Sequence, residues 1–460
     1  FWDSYGNIYK LIDELRSTGC IVEDPLTGYD EQGQYSPAGL EAVWPVYRSE
    51  EKLKLPTGLG QALYTRFLKL PLTDLLTAAP LVAAFSEFDD CEEAWEKYDV
   101  ISFRELCAKL GVSKRLYKEV FESMILTGLF APGEQCSAAA ALGMAYFFVL
   151  QHQTSFDVRW CRGNIGEKIF APWVDSMESH GVTFLQNTRA TGFVQNDRGD
   201  ALTSVECKDM ASGDAISLKA DEVVFAVGAQ ALNGLVRNSP TLAQHADFRR
   251  FCNLRGTSVL ATRLWFDRDI STPYSANACW GFDDGVGMTW FDIKRLHAPS
   301  HDHEPGSVIE LDWYHANSLL PMTDEALVKK AKGYLETMVP GFQEAQIIDA
   351  AIVRLPNAVN MYYPNSYKDM PDSRSSSLRN VHFVGDLVKT RHGSWSQEKA
   401  YVTGVEAANQ ILNRPKSENI IPLSSDEAHV AAGRAAVKAV KSFLGGGNPW
   451  RAPSLADFVW

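Results

Sequence analysis

The sequence lacks paired cysteines. Its eight cysteines, Cys20, Cys91, Cys107, Cys136, Cys161, Cys207, Cys252 and Cys279, stand singly with no Cys-x-x-Cys spacing. This excludes the common zinc and dithiol motifs and fits free thiols in a reducing compartment. Long apolar runs are missing too: the best stretch, AAAALGMAYFFVL at Ala138 to Leu150, falls well short of the roughly 20 residues a membrane-spanning helix needs. Positive charge is in deficit, with 44 Lys and Arg against 57 Asp and Glu and a formal net charge of -13. A phosphate backbone needs a concentrated basic face, so no nucleic-acid partner is expected. Internal repeats and low-complexity tracts are absent, which excludes solenoids and disordered spacers. The chain opens on Phe1 without a charged leader and cleavage site, and reads as processed or as a fragment.

What is present is ample material for packed interiors: of 460 residues, 45% are hydrophobic and 11% aromatic. Two or more domains are expected at this length. Near the start, Ile8, Leu11, Ile12 and Leu15 fall on one helical face, with Gly19 as a stop. From Glu41 to Phe156 the pattern is mostly helical. GEKIFAPWVDSMESHG, Gly166 to Gly181, is a helix closed by glycine, and VTFLQNTRATGFVQND after it reads as strand, turn and strand. A buried strand is expected over Val223 to Val227, ending on Gly228. Between Ser258 and Arg354, SVLATRLWF and SVIELDWYHA look like strands of a mixed sheet, with a helix at Asp324 to Met338. A final short strand is expected at Val381 to Val384, and an amphipathic helix over about Ser425 to Leu444.

One stretch carries chemistry: NVHFVGDLVKTRHGSWSQEKAYVTGVEAANQIL, Asn380 to Leu412. A buried strand ends in Gly385-Asp386, and a helix restarts about ten residues later. That order puts a carboxylate at a strand tip beside the unpaired N–H groups of a helix N-terminus. The carboxylate can accept hydrogen bonds from ligand hydroxyls and repels phosphate, while the helix end favours an electron-rich atom. From the residues alone the ligand has hydroxyls and an electron-rich edge.

At Gly385, Asp386, Lys389, Ser394, Glu398, Ala400, Thr403, Gly404, Ala407 and Ala408 the chain resembles the C-terminal flavin motif of the FAD-dependent amine oxidase superfamily. The likeness is greatest to its carotenoid (phytoene/zeta-carotene) desaturase branch. It extends to RGNIGEKIFAPWVDSMESHGVTFLQNTRATGF, to ADEVVFAVGAQAL and to FWDSYGNIYKLIDEL. The resemblance implies an α/β fold of the two-dinucleotide-domain, Rossmann-like FAD-binding type, discontinuous, with an inserted α+β substrate domain. Residues 1–40, 157–257 and 375–415 would form the FAD-binding domain, 41–156 and 258–374 the substrate domain, and 416–460 a C-terminal extension. FAD is the implied cofactor: Asp386 would contact ribityl hydroxyls, and backbone N–H groups near Gln397 and Glu398 would face the ring carbonyl O2. Gly385, Ser394 and Trp395 would complete that side, Arg189 and Ala190 would meet adenine, and Gly228 would end the second glycine-tipped strand. Where many relatives have Met-Glu-Gly-Ala, this chain has Gln397-Glu398-Lys399-Ala400.

The implied reaction is hydride transfer from a polyene C–H to flavin, with proton loss from the neighbouring carbon. The implied partner is a hydrophobic, polyene-like small molecule, with membrane-surface association left open, and the implied location is a plastid. No acid or base declares itself; Arg391 and His392, just before the helix, are the candidates. Three other readings stay open: a non-redox carotenoid isomerase, an amine or tetrapyrrole oxidase, and a flavin-free scaffold. The glycine-rich phosphate turn of such folds is not found, since GLGQAL at Gly58 to Leu63 lacks the third glycine and follows Pro56; it is expected upstream of Phe1. His297, His301 and His303 read as a solvent-facing loop, not a metal site. Ala138 to Leu150 reads as a buried helix or a tunnel lining, and Pro71 to Phe85 as core or as a membrane-surface element.

Overall fold

The computed structural model describes residues 1–298, 305–394 and 396–444. His301, His303, Trp395 and residues 445–460 lie outside the described residues.

Eight strands form one sheet. In chain order they are β1 (Gln32–Ser36), β2 (Gly39–Trp44), β3 (Arg66–Phe67), β8 (Gly256–Phe266), β9 (Ala276–Asp283), β10 (Val286–Asp292), β11 (Val308–Tyr314) and β12 (Ile347–Asn360), arranged β12-β8-β11-β10-β9-β1-β2-β3. The pairing is antiparallel except where β1 runs parallel to β9. The boundary expected at residue 40 falls inside the β1–β2 hairpin. Period-two alternation sends Leu260, Leu264, Trp290, Ile309, Leu311 and Trp313 to one face, where all are fully buried. There they meet Leu327, Ala331, Leu335 and Met338 of the helix Asp324–Met338 (α5 in the numbering below), which lie on one face at helical spacing. Thr323 caps that helix by accepting from the Ala326 amide at 3.3 Å. Each large side chain buried here contributes roughly 1.5–3 kcal/mol.

The opposite sheet face looks toward helices. Those used below are α1 (Gly6–Ser17), α2 (Ser123–Leu129), α3 (Ala138–Ala145), α4 (Ala229–Asn238), α5 (Asp324–Met338) and α6 (Gln397–Ile411). In the stretch from residue 41 to 156 expected to be mostly helical, the regular elements are helices apart from the end of β2 and the two residues of β3, with irregular connections between them, the longest over residues 45–58. Gly58 opens a short helix, Leu59–Tyr64, and follows no strand. After α3 the backbone widens into a π-helical turn, Tyr146–Leu150. That turn fans out three consecutive aromatics: Tyr146 bonds to Asp426 at 2.7 Å, Phe147 packs toward Tyr5, and Phe148 packs at a tilt against Trp2 with ring centres 5.0 Å apart.

Two small sheets complete the fold: β4 (Thr188–Gln195), β5 (Leu202–Asp209) and β6 (Ala215–Lys219) in that order, and the parallel pair β7 (Val223–Phe225) and β13 (Val381–Phe383). They share a phenylalanine core in which Phe193 and Phe383 pack against Phe225, and Phe251 against Phe383, at ring-centre distances of 5.2–5.5 Å. The strand expected at the start of VTFLQNTRATGFVQND does not form: residues 182–187 are irregular, and β4 begins at Thr188. A strand needs a ladder partner, and among the described residues none runs beside Val182 to Leu185, whose apolar side chains are exposed.

Candidate active site

Parallel pairing brings two strand tips together. Val381 and Phe383 of β13 pair with Val223 and Phe225 of β7, and the Val384 amide donates to Phe225 O at 3.0 Å. Gly228, which opens α4, and Gly385-Asp386 therefore leave the same end of the pair, the carboxyl end where α/β sheets bind ligands. Asn360, the last residue of β12, ties the two tips. Its Nδ2 donates to Asp386 Oδ1 at 2.6 Å, and its Oδ1 accepts from the Ala229 amide at 2.6 Å. Tyr362 donates its hydroxyl to the Asp386 carbonyl at 2.9 Å. Burial pushes the Asp386 carboxyl up, and the charge of Lys399 pulls against that shift. Gly385 has φ +121°, and a Cβ there would meet nothing within 4 Å, so open space lies in front of the tip.

Helix α6 starts beside this tip. Ser396 caps it by accepting from the Lys399 amide at 3.1 Å, and buried Ser394 accepts from the Ser396 hydroxyl at 3.2 Å. Thr403, nearly two helical turns in, accepts from the Gly385 amide at 2.8 Å and so fixes the distance between helix and strand tip. Among the described residues the amides of Gln397 and Glu398 find no acceptor, leaving two aligned donors at the positive end of the helix.

The Glu398 side chain has a different task from its amide. Its carboxylate accepts from the Asn7 amide at 2.9 Å, Asn7 Nδ2 at 2.7 Å and the Ile8 amide at 2.9 Å, capping α1 from another part of the chain. His392 joins this cluster, with Nε2 3.2 Å from Asn7 Nδ2 and 3.6 Å from Glu398 Oε1. Arg391 is exposed and donates to the Asp89 carbonyl at 3.0 Å. Arg189 and Ala190 sit on β4 opposite Lys208 and Cys207, with Arg189 exposed. Gln397 is exposed at the helix start.

Two charged residues were not foreseen. Lys399 is buried and forms no ion pair among the described residues; burial lowers its pKa, opposed by the charges of Asp90, Asp386 and Glu406. Its one signal in the sequence is its departure from the Met-Glu-Gly-Ala pattern that the resemblance implies there. Asp90 is buried with φ +57°, accepts from Trp95 Nε1 at 2.7 Å, and is pushed up to about 7 by desolvation. Because the folded state holds this proton more tightly than the unfolded chain does, the energetic penalty is absent below about pH 4, grows toward pH 7 and is constant above it. Asp90→Asn is therefore expected to gain stability over the wild type between pH 5 and pH 8, by a few kcal/mol at most, in urea unfolding at the two pH values. A difference that does not change with pH would mean that Asp90 stays ionised as the partner of Lys399.

Two adjoining cavities lie between the large sheet and the helices. The first, about 330 Å³, is walled by Trp2, Phe148, Trp160 and Phe291 with Asp312 and Tyr314 in its floor. The second, about 500 Å³, is lined by Leu72, Leu75, Val82, Phe85, Phe103 and Ile125. They share Trp44, Met124, Met144, Val149 and Phe156, so the stretch beginning at Ala138 is, as far as Val149, both mostly buried and cavity-lining. Phe147 connects it to the strand-tip region, since a Cβ on Gly393 would lie 3.2 Å from its ring.

The eight cysteines are all free. Among the described residues no group of His, Cys, Asp or Glu could hold a metal ion.

Comparison with known proteins gives a family model, "Flavin containing amine oxidoreductase", matching residues 13–412. The 15-cis-phytoene desaturase of Arabidopsis thaliana is 23% identical over 433 residues, 90% of this chain and 70% of that one. A carotenoid phi-ring synthase of Streptomyces griseus is 26% identical over 391 residues, 78% of this chain and 71% of that one. Two further phytoene desaturases, from Glycine max and Solanum lycopersicum, are spanned over 61% and 53% of their lengths. Among solved structures, cyclohexylamine oxidase from Brevibacterium oxydans superimposes with a TM-score of 0.57 at 11% identity, covering 96% of this chain and 86% of that one. That likeness shows the fold. With the family model spanning most of its length, the chain belongs to the flavin-containing amine oxidoreductases, a family of FAD-dependent oxidoreductases.

Proposed function

We propose that this chain desaturates a long apolar polyene, removing two hydrogens from adjacent carbons to leave a new double bond. The pair of adjoining apolar cavities carries this reading: an elongated hydrocarbon-lined passage matches an elongated hydrocarbon. Such a ligand gains roughly 0.8 kcal/mol for each CH2 it removes from water. Leu63, Leu72, Leu76 and Val82 are exposed where they line the second cavity, an apolar rim that supports uptake from a membrane surface. Among the described residues no helix is long and apolar enough to cross a membrane. Plant relatives described as chloroplastic support a plastid setting.

FAD, when bound, supplies the two-electron acceptor for this chemistry. The residues present fit its ribityl and ring portion: open space before Gly385, the Asp386 carboxylate for hydroxyls, and the free amides of Gln397 and Glu398 for an electron-rich ring atom. Among the described residues no strand runs into a glycine-rich phosphate turn, so the fit does not extend to the pyrophosphate. Lys399 adds positive potential near the helix start, which favours an electron-rich ring edge. Arg189 and Ala190 remain the proposed adenine side.

The test is an absorbance spectrum of the purified protein with FAD, then anaerobic addition of phytoene in vesicles. Bleaching of the oxidised flavin with appearance of a longer-conjugated polyene supports the proposal. Bleaching by amines and not by polyenes moves the reading to amine oxidation, and a protein that never binds flavin sinks it.

A further inference from the structure

Asp312 is the one carboxylate in the lining of the first cavity, which among the described residues holds no Lys, Arg or His. Strand alternation puts it there: Ile309, Leu311 and Trp313 of β11 are buried under α5, so Asp312 and Tyr314 face the cavity. Its cross-strand neighbours are Thr289 on β10 and Ala261 on β8. Neither serves it, because the Thr289 hydroxyl is bonded to the Tyr314 hydroxyl at 2.7 Å and alanine has nothing to offer. Arg263, farther along the same strands, is engaged by Glu310 at 2.7 Å. Helix α2, packed over β10, has no ionisable side chain. Among the described residues the Asp312 carboxylate accepts no hydrogen bond and forms no ion pair, its backbone alone being bonded within the sheet. A recessed carboxyl without partners disfavours folding, so packing does not account for it.

A hydrocarbon ligand offers this group no hydrogen bond in its ground state. Positive charge appears on the ligand as a hydride leaves, and a carboxylate in a low-dielectric wall acts where charge develops. We propose that Asp312 is the catalytic base: its carboxylate touches the substrate and takes the proton. This role rests on the desaturase reading above. One C–H bond breaks with its electron pair, the hydride going to the flavin, which is reduced. On the adjacent carbon the C–H proton passes to Asp312, and the pair left behind closes the new C=C bond of the oxidised product. The protonated carboxyl then releases its proton to water. Burial raises Asp312 to about 7, with Glu310 adding to the shift and Arg263 opposing it, so it exchanges its proton near neutral pH as a general base requires.

The test compares wild type, Asp312→Asn and Asp312→Glu as the full chain loaded with FAD, with phytoene in phosphatidylcholine vesicles. Anaerobic single-turnover bleaching is expected to slow about 100-fold or more in D312N and to recover in part in D312E. FAD content, and phytoene affinity read from tryptophan quenching, are expected to stay unchanged, which separates catalysis from misfolding. The wild-type rate should rise with pH through about 7, a limb that D312N loses. Independently of turnover, a carboxyl infrared band should titrate near neutral pH in wild type and be missing from D312N. Equal rates in wild type and D312N overturn the proposal, as does weakened phytoene affinity at an unchanged bleaching rate, which would make Asp312 a binding anchor. A wild-type flavin that no polyene bleaches overturns the desaturase reading and this role with it.

Discussion

Replacing Glu398 by alanine is expected to lower the unfolding free energy by about 3–5 kcal/mol, the largest stability loss foreseen for a single side chain here. The carboxylate is almost fully buried and accepts three hydrogen bonds, two from backbone amides in the first turn of α1 and one from Asn7 Nδ2. Tyr5, the residue before that helix, gives it no side-chain cap, so without Glu398 the Asn7 and Ile8 amides are left buried without an acceptor. Glu398→Gln keeps two acceptor positions at most and loses the charge, so about half that loss is expected. Urea unfolding of the three proteins measures this. An alanine variant within about 1 kcal/mol of wild type would show that water replaces the carboxylate at the helix start. The same variant should bind FAD more weakly, because the amides of Gln397 and Glu398 are held in place by the contact that anchors α6 to α1.

Asp386→Ala is expected to weaken FAD binding by about 10- to 100-fold while the fold stays intact, the loss of one charge-assisted hydrogen bond to a ligand hydroxyl. Fluorescence titration with FAD, and with riboflavin as the shorter probe, reads it. Both ligands should lose affinity by the same factor, since the proposed contact is to the ribityl chain they share. An unchanged affinity for both would remove Asp386 from the cofactor site and leave it as the partner of Asn360 alone. Asp386→Asn keeps the acceptor oxygen and should fall between the two.

The two expectations concern neighbouring residues of one motif, yet they differ in how far the sequence reached. Gly385-Asp386 at a strand end and a helix restarting at Gln397 were legible because local patterns set them: an apolar run, a glycine, and a serine cap. That Glu398 caps α1 was not legible, because Asn7 lies 391 residues away in the chain. Asn360 had no signal either; its value comes from ending β12 where two other strand tips meet. Residues 182–185 look like a strand in isolation and are not one here, since strand formation is decided by a neighbour and not by the segment itself.

The sequence by itself determined the family, the acidic composition, the helix over Asp324–Met338 and the pattern of strand end and helix restart around Asp386, all of them properties of composition or of residues close along the chain. Only the tertiary structure decided that Lys399 and Asp90 share a buried region, that two cavities join through Trp44 and Phe156, and that Asp312 stands alone in the wall of one. Burial and the lack of a partner depend on what packs alongside, and packing brings together residues that no local pattern relates.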